Sequence, residues 1–412
     1  MPKKKIKPKV VSLFSGVGGM DLGFQKAGFE IVWANDFETD CVQTYQRNIG
    51  QHIVLGDIKK IKSTNIPKAD VIIGGFPCQG FSVNNTKRSM KDERNHLYKE
   101  MLRIIKALKP KFFVAENVKG ILSIEKGAVI EMIVEDFRKI GYKVDYQLLT
   151  AADYGIPQLR QRVFIMGNRI NVENSFPRPT HFPKPNTELN GQKSFDLPGT
   201  HNMQFHISAK EAIGHLAKIP ITYEPIKKKG SKPIYNHIAA TNVLDTFWGR
   251  KYPVNQFHIC DYLKKWRNRS PYSTQKIDEH FGYRHTAGHW FRKDNNSGSI
   301  PKPSDWWELK KLLKFDDKYD KQVTTLEEKE ITFEQSLRIS NWGTPSDTIT
   351  ATGSEIHPNK ERRISVREGA ILQSFPDDFV FIGALNSMYR QVGNAVPPLL
   401  AEKVAKAIRH LL

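Results

Sequence analysis

Short apolar runs alternate with amphipathic stretches over the first 170 or so residues. Residues 10–14 (VVSLF) form an apolar run that stops at glycines; residues 31–34, 52–55, 69–73 and 111–115 repeat the style. Each is bounded by polar, Gly or Pro residues. Between them, 40–48 and 96–108 carry apolar residues at helical spacing, and a helix is expected from Met20 to about Ala27. Residues 142–149 and 162–167 read as two more strands. This alternation predicts βαβ units and a mostly parallel α/β sheet. After about Pro177 the pattern fades into prolines, lysines and isolated aromatics, with no repeat. Apolar order returns from Arg363, and LLAEKVAKAIRHLL closes the chain as a helix whose first turn suits Pro397 and Pro398.

Charge changes the picture. Lys plus Arg number 63 against 43 Asp plus Glu, a formal net charge of +20 with a pI near 9.6. Such an excess favours a polyanionic partner. It is concentrated late, with about 18 Lys/Arg against about 7 Asp/Glu over 225–315. Mean hydropathy is −0.49 and no run of 18 apolar residues occurs, which argues against a membrane span. MPKKKIKPKV is basic but lacks the apolar core of a secretory signal. Three cysteines make no disulfide framework, so a reducing, cytoplasmic setting is expected.

The first strand runs into Phe14-Ser15-Gly16-Val17-Gly18-Gly19 and then a helix. Gly16, Gly18 and Gly19 would let backbone approach a ligand at the positive end of that helix. The spacing is not the G-x-G-x-x-G of dinucleotide enzymes, and a tight turn without a ligand fits as well. Asp36, at the end of the second strand about 20 residues on, can accept hydrogen bonds from ribose hydroxyls, or cap a helix. Asp57 ends the third strand, where it can reach an adenine amine or serve as a cap. Three such features at one sheet edge point to an adenosine-type cofactor. No Walker A lysine motif is present, which disfavours ATP.

The fourth strand leads into Gly74-Gly75-Phe76-Pro77-Cys78-Gln79-Gly80-Phe81-Ser82. Most lone cysteines are buried and inert. This one lies in a glycine-bracketed loop at the carboxyl end of a central strand, where open α/β sheets bind ligands. The fifth strand is expected to end at Ala115, followed by Glu116, which brings a carboxyl to the same edge. In Gln158-Leu159-Arg160-Gln161-Arg162 the alternate arginines would share one side, suited to an anionic group or a polar edge, or to solvent.

FSGVGG, GGFPCQGFS, ENVKG, QLRQRVFIMG and RQVGNAVPPLLA, spanning 11 to about 401, resemble the ordered motifs of DNA (cytosine-5) methyltransferases, of the prokaryotic type with a single target-recognition domain. The resemblance implies a Rossmann-like S-adenosylmethionine-dependent methyltransferase sheet with helices on both faces, plus a smaller irregular DNA-recognition domain. It implies a catalytic domain over 1–176, completed by 386–412, and a small domain over 177–385 with its recognition region about 185–340. Cys78 would add to cytosine carbon 6, making carbon 5 nucleophilic enough to take the methyl group. Glu116 would be the acid at ring nitrogen 3. Arg162 would hold the exocyclic edge or the acid, and Arg160 would neutralise a nearby phosphate. No side chain declares itself as the base for the carbon 5 proton, which leaves water for that role. The implied cofactor set is Phe14, Ser15, Gly16, Gly18, Gly19, Asp36, Phe37, Asp57, Ile58, Pro77 and Asn394, the last at the cofactor's amino-acid part. No metal is implied.

A free thiol with a pKa of about 8.5 is only a few per cent thiolate near neutrality, so basic neighbours matter. The target base must also leave the duplex, at a cost of a few kcal/mol. Residues 79–97 have the length and polarity of a lid for that event. Double-stranded DNA is the expected partner. Gln79, Ser82, Arg250, Arg267, Arg269, Arg284 and Arg292, with His285 and Lys293, are candidates to meet phosphate or base edges. The tryptophans suit a small-domain core. A cognate restriction endonuclease acting separately and a monomeric state belong to the same expectation. The alternatives are the tRNA-directed branch of the family, disfavoured by the long basic region, and an inactive DNA-binding regulator, disfavoured by intact Cys78 and Glu116.

Overall fold

The structure, a computed structural model, describes residues 7–77, 97–184, 203–222, 234–240, 256–282, 290–291, 300–301, 303–325, 338–339, 341–353, 355–357 and 362–412. The seven apolar runs form one sheet: β1 (Lys9–Leu13), β2 (Glu30–Asp36), β3 (Ile53–Leu55), β4 (Val71–Gly74), β5 (Phe112–Val118), β6 (Lys143–Thr150) and β7 (Gln161–Asn168), in the order β3-β2-β1-β4-β5-β7-β6. Pairing is parallel from β3 through β5, and β7 runs antiparallel to both neighbours. All four residues of β4 are buried, as a strand covered on both faces requires.

The covers are α1 (Gly19–Lys26), α2 (Thr39–Asn48), α3 (Leu97–Leu108) and α4 (Ala128–Lys139), and, from the far end of the chain, a helix over Pro398–Arg409. Successive strand residues feed opposite faces. Val10, Val71 and Ile73 pack with Phe24 of α1 and with Leu400, Val404 and Ile408 of the C-terminal helix. Val11, Ile72 and Phe113 pack with Met101 and Ile105 of α3 and Ile133 and Phe137 of α4. Gly23 allows the first packing: a Cβ there would lie 2.5 Å from Pro398 O and from Glu402 N.

Two findings correct the pattern-based reading. β5 continues to Val118, so Glu116 and Asn117 lie within the strand rather than after it. α4, with Val129, Ile130, Ile133, Val134 and Phe137 buried on one side, was not anticipated between the fifth and sixth strands.

The chain divides into two compact units at other bounds than 177 and 385. The first holds 1–239, 341–353 and 364–412; the second holds 240–340 and 354–363. The reason is a shared core: Val17 of the glycine turn clusters with Ile213, Ile349, Ile364, Val366, Phe375 and Val392. The first unit therefore also contains β8 (His181–Phe182), β9 (Gln204–Phe205) and α5 (Ala209–Ile213). The second unit's described residues include α6 (Gln256–Asn268), α7 (Thr274–Phe281), α8 (Pro303–Leu313), α9 (Asp320–Thr324) and the short pair β10 (Arg338–Ile339) and β11 (Glu355–Ile356). Trp290 and Trp306 are buried with Ile259, Leu263, Ile277 and Leu309, so these two tryptophans are core. Back in the first unit follow α10 (Val366–Leu372), α11 (Leu385–Asn394) and α12 (Pro398–Arg409), the C-terminal helix. Among the described residues no helix is long and apolar enough to cross a membrane.

Candidate active site

β1, β4 and β5 end side by side where the strand order reverses, the place where open α/β sheets present ligand sites. Glu116, near the end of β5, is 8% exposed. Nε of Arg162 on β7 lies 2.9 Å from its Oε1. Burial pushes the Glu116 carboxyl above its ordinary range, against the pull of Arg162 and then Arg160. Gly75 leaves room for this carboxyl: a Cβ there would stand 3.1 Å from Oε2 of Glu116. The next residue of β5 binds the loop itself. Nδ2 of Asn117 donates to Phe76 O at 3.1 Å, and Oδ1 accepts from Val118 N at 2.9 Å. The acid's strand thus holds the segment that leads through Pro77 to position 78. Asn117 was not singled out from the sequence; its place between the acid and the loop was visible only as the middle letter of ENV.

At the β1–β2 edge, Phe14 adopts φ +52°, an uncommon backbone for a non-glycine residue, and opens the turn. Ser15 ties the turn to β2: its N–H and Oγ both donate to Asn35 O, at 2.9 and 3.2 Å. The three glycines differ. Gly16, at φ +53°, has open space where a Cβ would be. Gly18, at φ +83°, has Ile49 Cδ1 only 2.1 Å from that point, and Gly19 has Val396 O at 2.2 Å. Gly18 and Gly19 therefore permit close packing inside the protein, while Gly16 has open space beside it.

Asp36 is 8% exposed and accepts Gly16 N at 2.8 Å and Glu38 N at 2.9 Å, one on each oxygen. Burial holds its carboxyl above the ordinary range despite these bonds. Phe37 beside it is 61% exposed, while Ile58 is 3% exposed and its side chain belongs to the sheet core. Asp57 is exposed and uses Oδ1 to cap the turn at Lys59 N, 3.0 Å away. Asn394, the last residue of α11, is exposed between buried neighbours.

Arg160 departs from its expected role. It is fully buried, and its guanidinium donates to three main-chain carbonyls: Ile349 at 3.1 Å, Gly393 at 2.9 Å and Ala395 at 2.9 Å. A guanidinium so enclosed has no face for a phosphate. Gln158 acts beside it, accepting Ile349 N at 2.9 Å and donating to Leu372 O at 3.1 Å. The alternation of Gln158, Arg160 and Arg162 serves the fold at two positions and the acid at the third.

A buried cluster behind the glycine turn was also missed. Asp21, fully buried in the first turn of α1, accepts from Ser12 Oγ and from the Tyr45 hydroxyl, both at 2.9 Å. Tyr45 in turn lies 2.9 Å from Nε2 of His52. Burial pushes Asp21 up to about 6. The four residues are scattered in sequence, and no spacing signals them.

Cys78, Gln79, Ser82, Arg250, Arg284, His285, Arg292 and Lys293 lie outside the described residues, as does nearly all of the expected lid. Of the two remaining arginines, Arg267 donates to Thr274 Oγ1 at 2.7 Å and lies 5.2 Å from the centre of the Phe291 ring. Arg269 is exposed, over the Trp266 ring.

A sheet of this order, with a glycine turn and acids along its carboxyl edge, defines a protein with the S-adenosylmethionine-dependent methyltransferase fold. The C-5 cytosine-specific DNA methylase family matches residues 8–410, and the chain belongs to that family: it is a DNA (cytosine-5) methyltransferase. It is 33% identical over 410 residues to the Type II methyltransferase M.NgoFVII of Neisseria gonorrhoeae, covering 98% of this chain and 86% of that one. M1.HphI of Haemophilus parahaemolyticus, also a Type II methyltransferase, is 33% identical, with 97% and 86% covered. Among solved structures, a prophage-encoded E. coli protein described as a DNA modification methyltransferase superposes with a TM-score of 0.58 at 23% identity, covering 98% of this chain and 99% of that one.

Proposed function

We propose that the chain methylates carbon 5 of cytosine at a defined short sequence in double-stranded DNA, using S-adenosylmethionine and a transient bond from Cys78 to carbon 6 of a base swung out of the duplex. The observation that carries this reading is the buried carboxyl of Glu116, held by Arg162 and opening past Gly75 onto the segment that leads to Cys78. A carboxyl whose affinity for its proton is raised by burial is suited to donate to ring nitrogen 3 as the thiolate adds, which moves charge off the ring. Arg162 orients that carboxyl. Asn117 keeps the loop's entry in register with it.

The cofactor edge suits an adenosine-bearing methyl donor. Gly16 has open space, each Asp36 oxygen keeps a lone pair for a ribose hydroxyl, and Phe37 offers an exposed ring for adenine. Asn394 meets the amino-acid end. When bound, S-adenosylmethionine supplies the methyl group. The proton on carbon 5 leaves to water, freeing Cys78. We also read the chain as a monomer working in the cytoplasm and protecting DNA from a separate cognate endonuclease. Relatives named as Type II methyltransferases support the protective role in that reading.

The test compares methyl incorporation into duplex DNA and into total tRNA, and repeats the DNA reaction with 5-fluorocytosine in the target. Methylation of DNA, with a covalent adduct that Cys78→Ser does not form, is the expected result. Incorporation into tRNA alone overturns the substrate. An adduct that persists in Cys78→Ser overturns the nucleophile.

A further inference from the structure

Arg160 is fully buried, and its donors converge on one short turn. One terminal nitrogen places its two N–H groups on Gly393 O and Ala395 O, each at 2.9 Å, the carbonyls on either side of Asn394. The other terminal nitrogen holds Ile349 O at 3.1 Å. The turn is pressed against the same segment, since a Cβ on Gly393 would lie 2.2 Å from Thr350 O. Gln373 adds a bond to Val392 O at 2.7 Å. Every residue from Gln391 to Val396 is buried except Asn394, which is exposed. A buried cation spent on main-chain carbonyls is costly to desolvate, and its planar fork spans acceptors that a lysine ammonium cannot reach together.

We propose that Arg160 is a positioning residue for the cofactor: by gripping the carbonyls that flank Asn394, it fixes the side chain that meets the amino-acid end of S-adenosylmethionine. The proposal rests on the reading of Asn394 given above. It assigns Arg160 to the cofactor side of the reaction, where a phosphate contact would have put it on the DNA side.

The two assignments separate by affinity. Full-length Arg160→Lys, Asn394→Ala and the double variant are titrated with S-adenosylhomocysteine and, separately, with duplex DNA, and their thermal midpoints are recorded. Each single variant is expected to weaken S-adenosylhomocysteine binding about tenfold while DNA affinity stays within about twofold, and the double variant is expected to be no weaker than about twofold below the poorer single, because coupled residues do not add. Arg160→Lys with unchanged cofactor affinity, or with an equal loss of DNA affinity, overturns the proposal while leaving the role of Asn394 intact. Asn394→Ala with unchanged cofactor affinity removes the underlying reading, and the proposal with it. If Arg160→Lys does not fold, Arg160→Gln takes its place with the same expected results.

Discussion

Nε of Arg162 stands 2.9 Å from Oε1 of Glu116, with both side chains close to nine-tenths covered. The pair joins the antiparallel strand β7 to the end of β5, where Glu116 and Phe164 are cross-strand partners. Burial favours the neutral acid and Arg162 favours the carboxylate, and burial dominates. Glu116→Gln keeps the shape and removes the proposed proton donor. A general acid contributes about 10²–10⁴-fold, so methyl transfer in single-turnover assays should fall into that range while DNA affinity holds. The wild-type rate should decline on the alkaline side at a pH above the ordinary carboxylate range, and Glu116→Gln should lack that limb. A variant that keeps the limb would remove Glu116 from the proton transfer.

Asn117→Ala deletes the bond to Phe76 O and leaves a carbonyl of a 3%-exposed residue without that donor. The expected loss of stability is about 1–3 kcal/mol, measured by denaturant unfolding. Because the released segment leads to Cys78, adduct formation with 5-fluorocytosine DNA should slow while S-adenosylhomocysteine affinity is kept. An equal loss of both would mean that Asn117 supports the sheet generally rather than the loop.

Asp21 gives the fold a pH dependence of defined sign. Its folded value of about 6 lies above the ordinary 3.8, so the neutral acid is the form the fold prefers. The stability it confers is complete below about pH 4 and is lost as pH rises through about 6, by about 3 kcal/mol in all. Asp21→Asn can still accept from Tyr45, and it never ionises. Thermal unfolding at pH 4.5 and pH 7.5 should show the variant gaining on the wild type at the higher pH. A constant difference between the two would refute the assignment.

Gly16 and Gly18 should part company under substitution. Both have positive φ, which costs an alanine about 1–2 kcal/mol. At Gly16 that is the whole structural cost, since the space is open, and Gly16→Ala should fold and show weakened S-adenosylhomocysteine binding. At Gly18 the methyl would also enter Ile49 and the buried ring of Tyr45, which is held by Asp21. Gly18→Ala should therefore yield little folded protein. Comparable soluble yields and midpoints for the two would contradict this.

Much of the site could be read along the chain because each piece is local. The apolar runs end at Leu13, Asp36, Leu55 and Gly74, and parallel pairing brings their carboxyl ends to one edge whatever the details of packing. Glu116 and Arg162 were recognisable for the same reason, as charged residues at or near the ends of apolar runs.

What the chain by itself determined is therefore the order of the strands' chemistry and the edge on which it gathers, since strand-forming patterns and turn residues act over a few neighbours. What only the tertiary structure decided is which of several similar residues face outward. Arg160 and Arg162 are two positions apart, yet one is enclosed by carbonyls 189 to 235 residues away and the other meets the acid. Gly16 and Gly18 read alike until Ile49 and Tyr45 arrive beside one of them. Burial and long-range contact set the cost of a charge or a methyl group, and neither is written in the spacing of the residues that bear them.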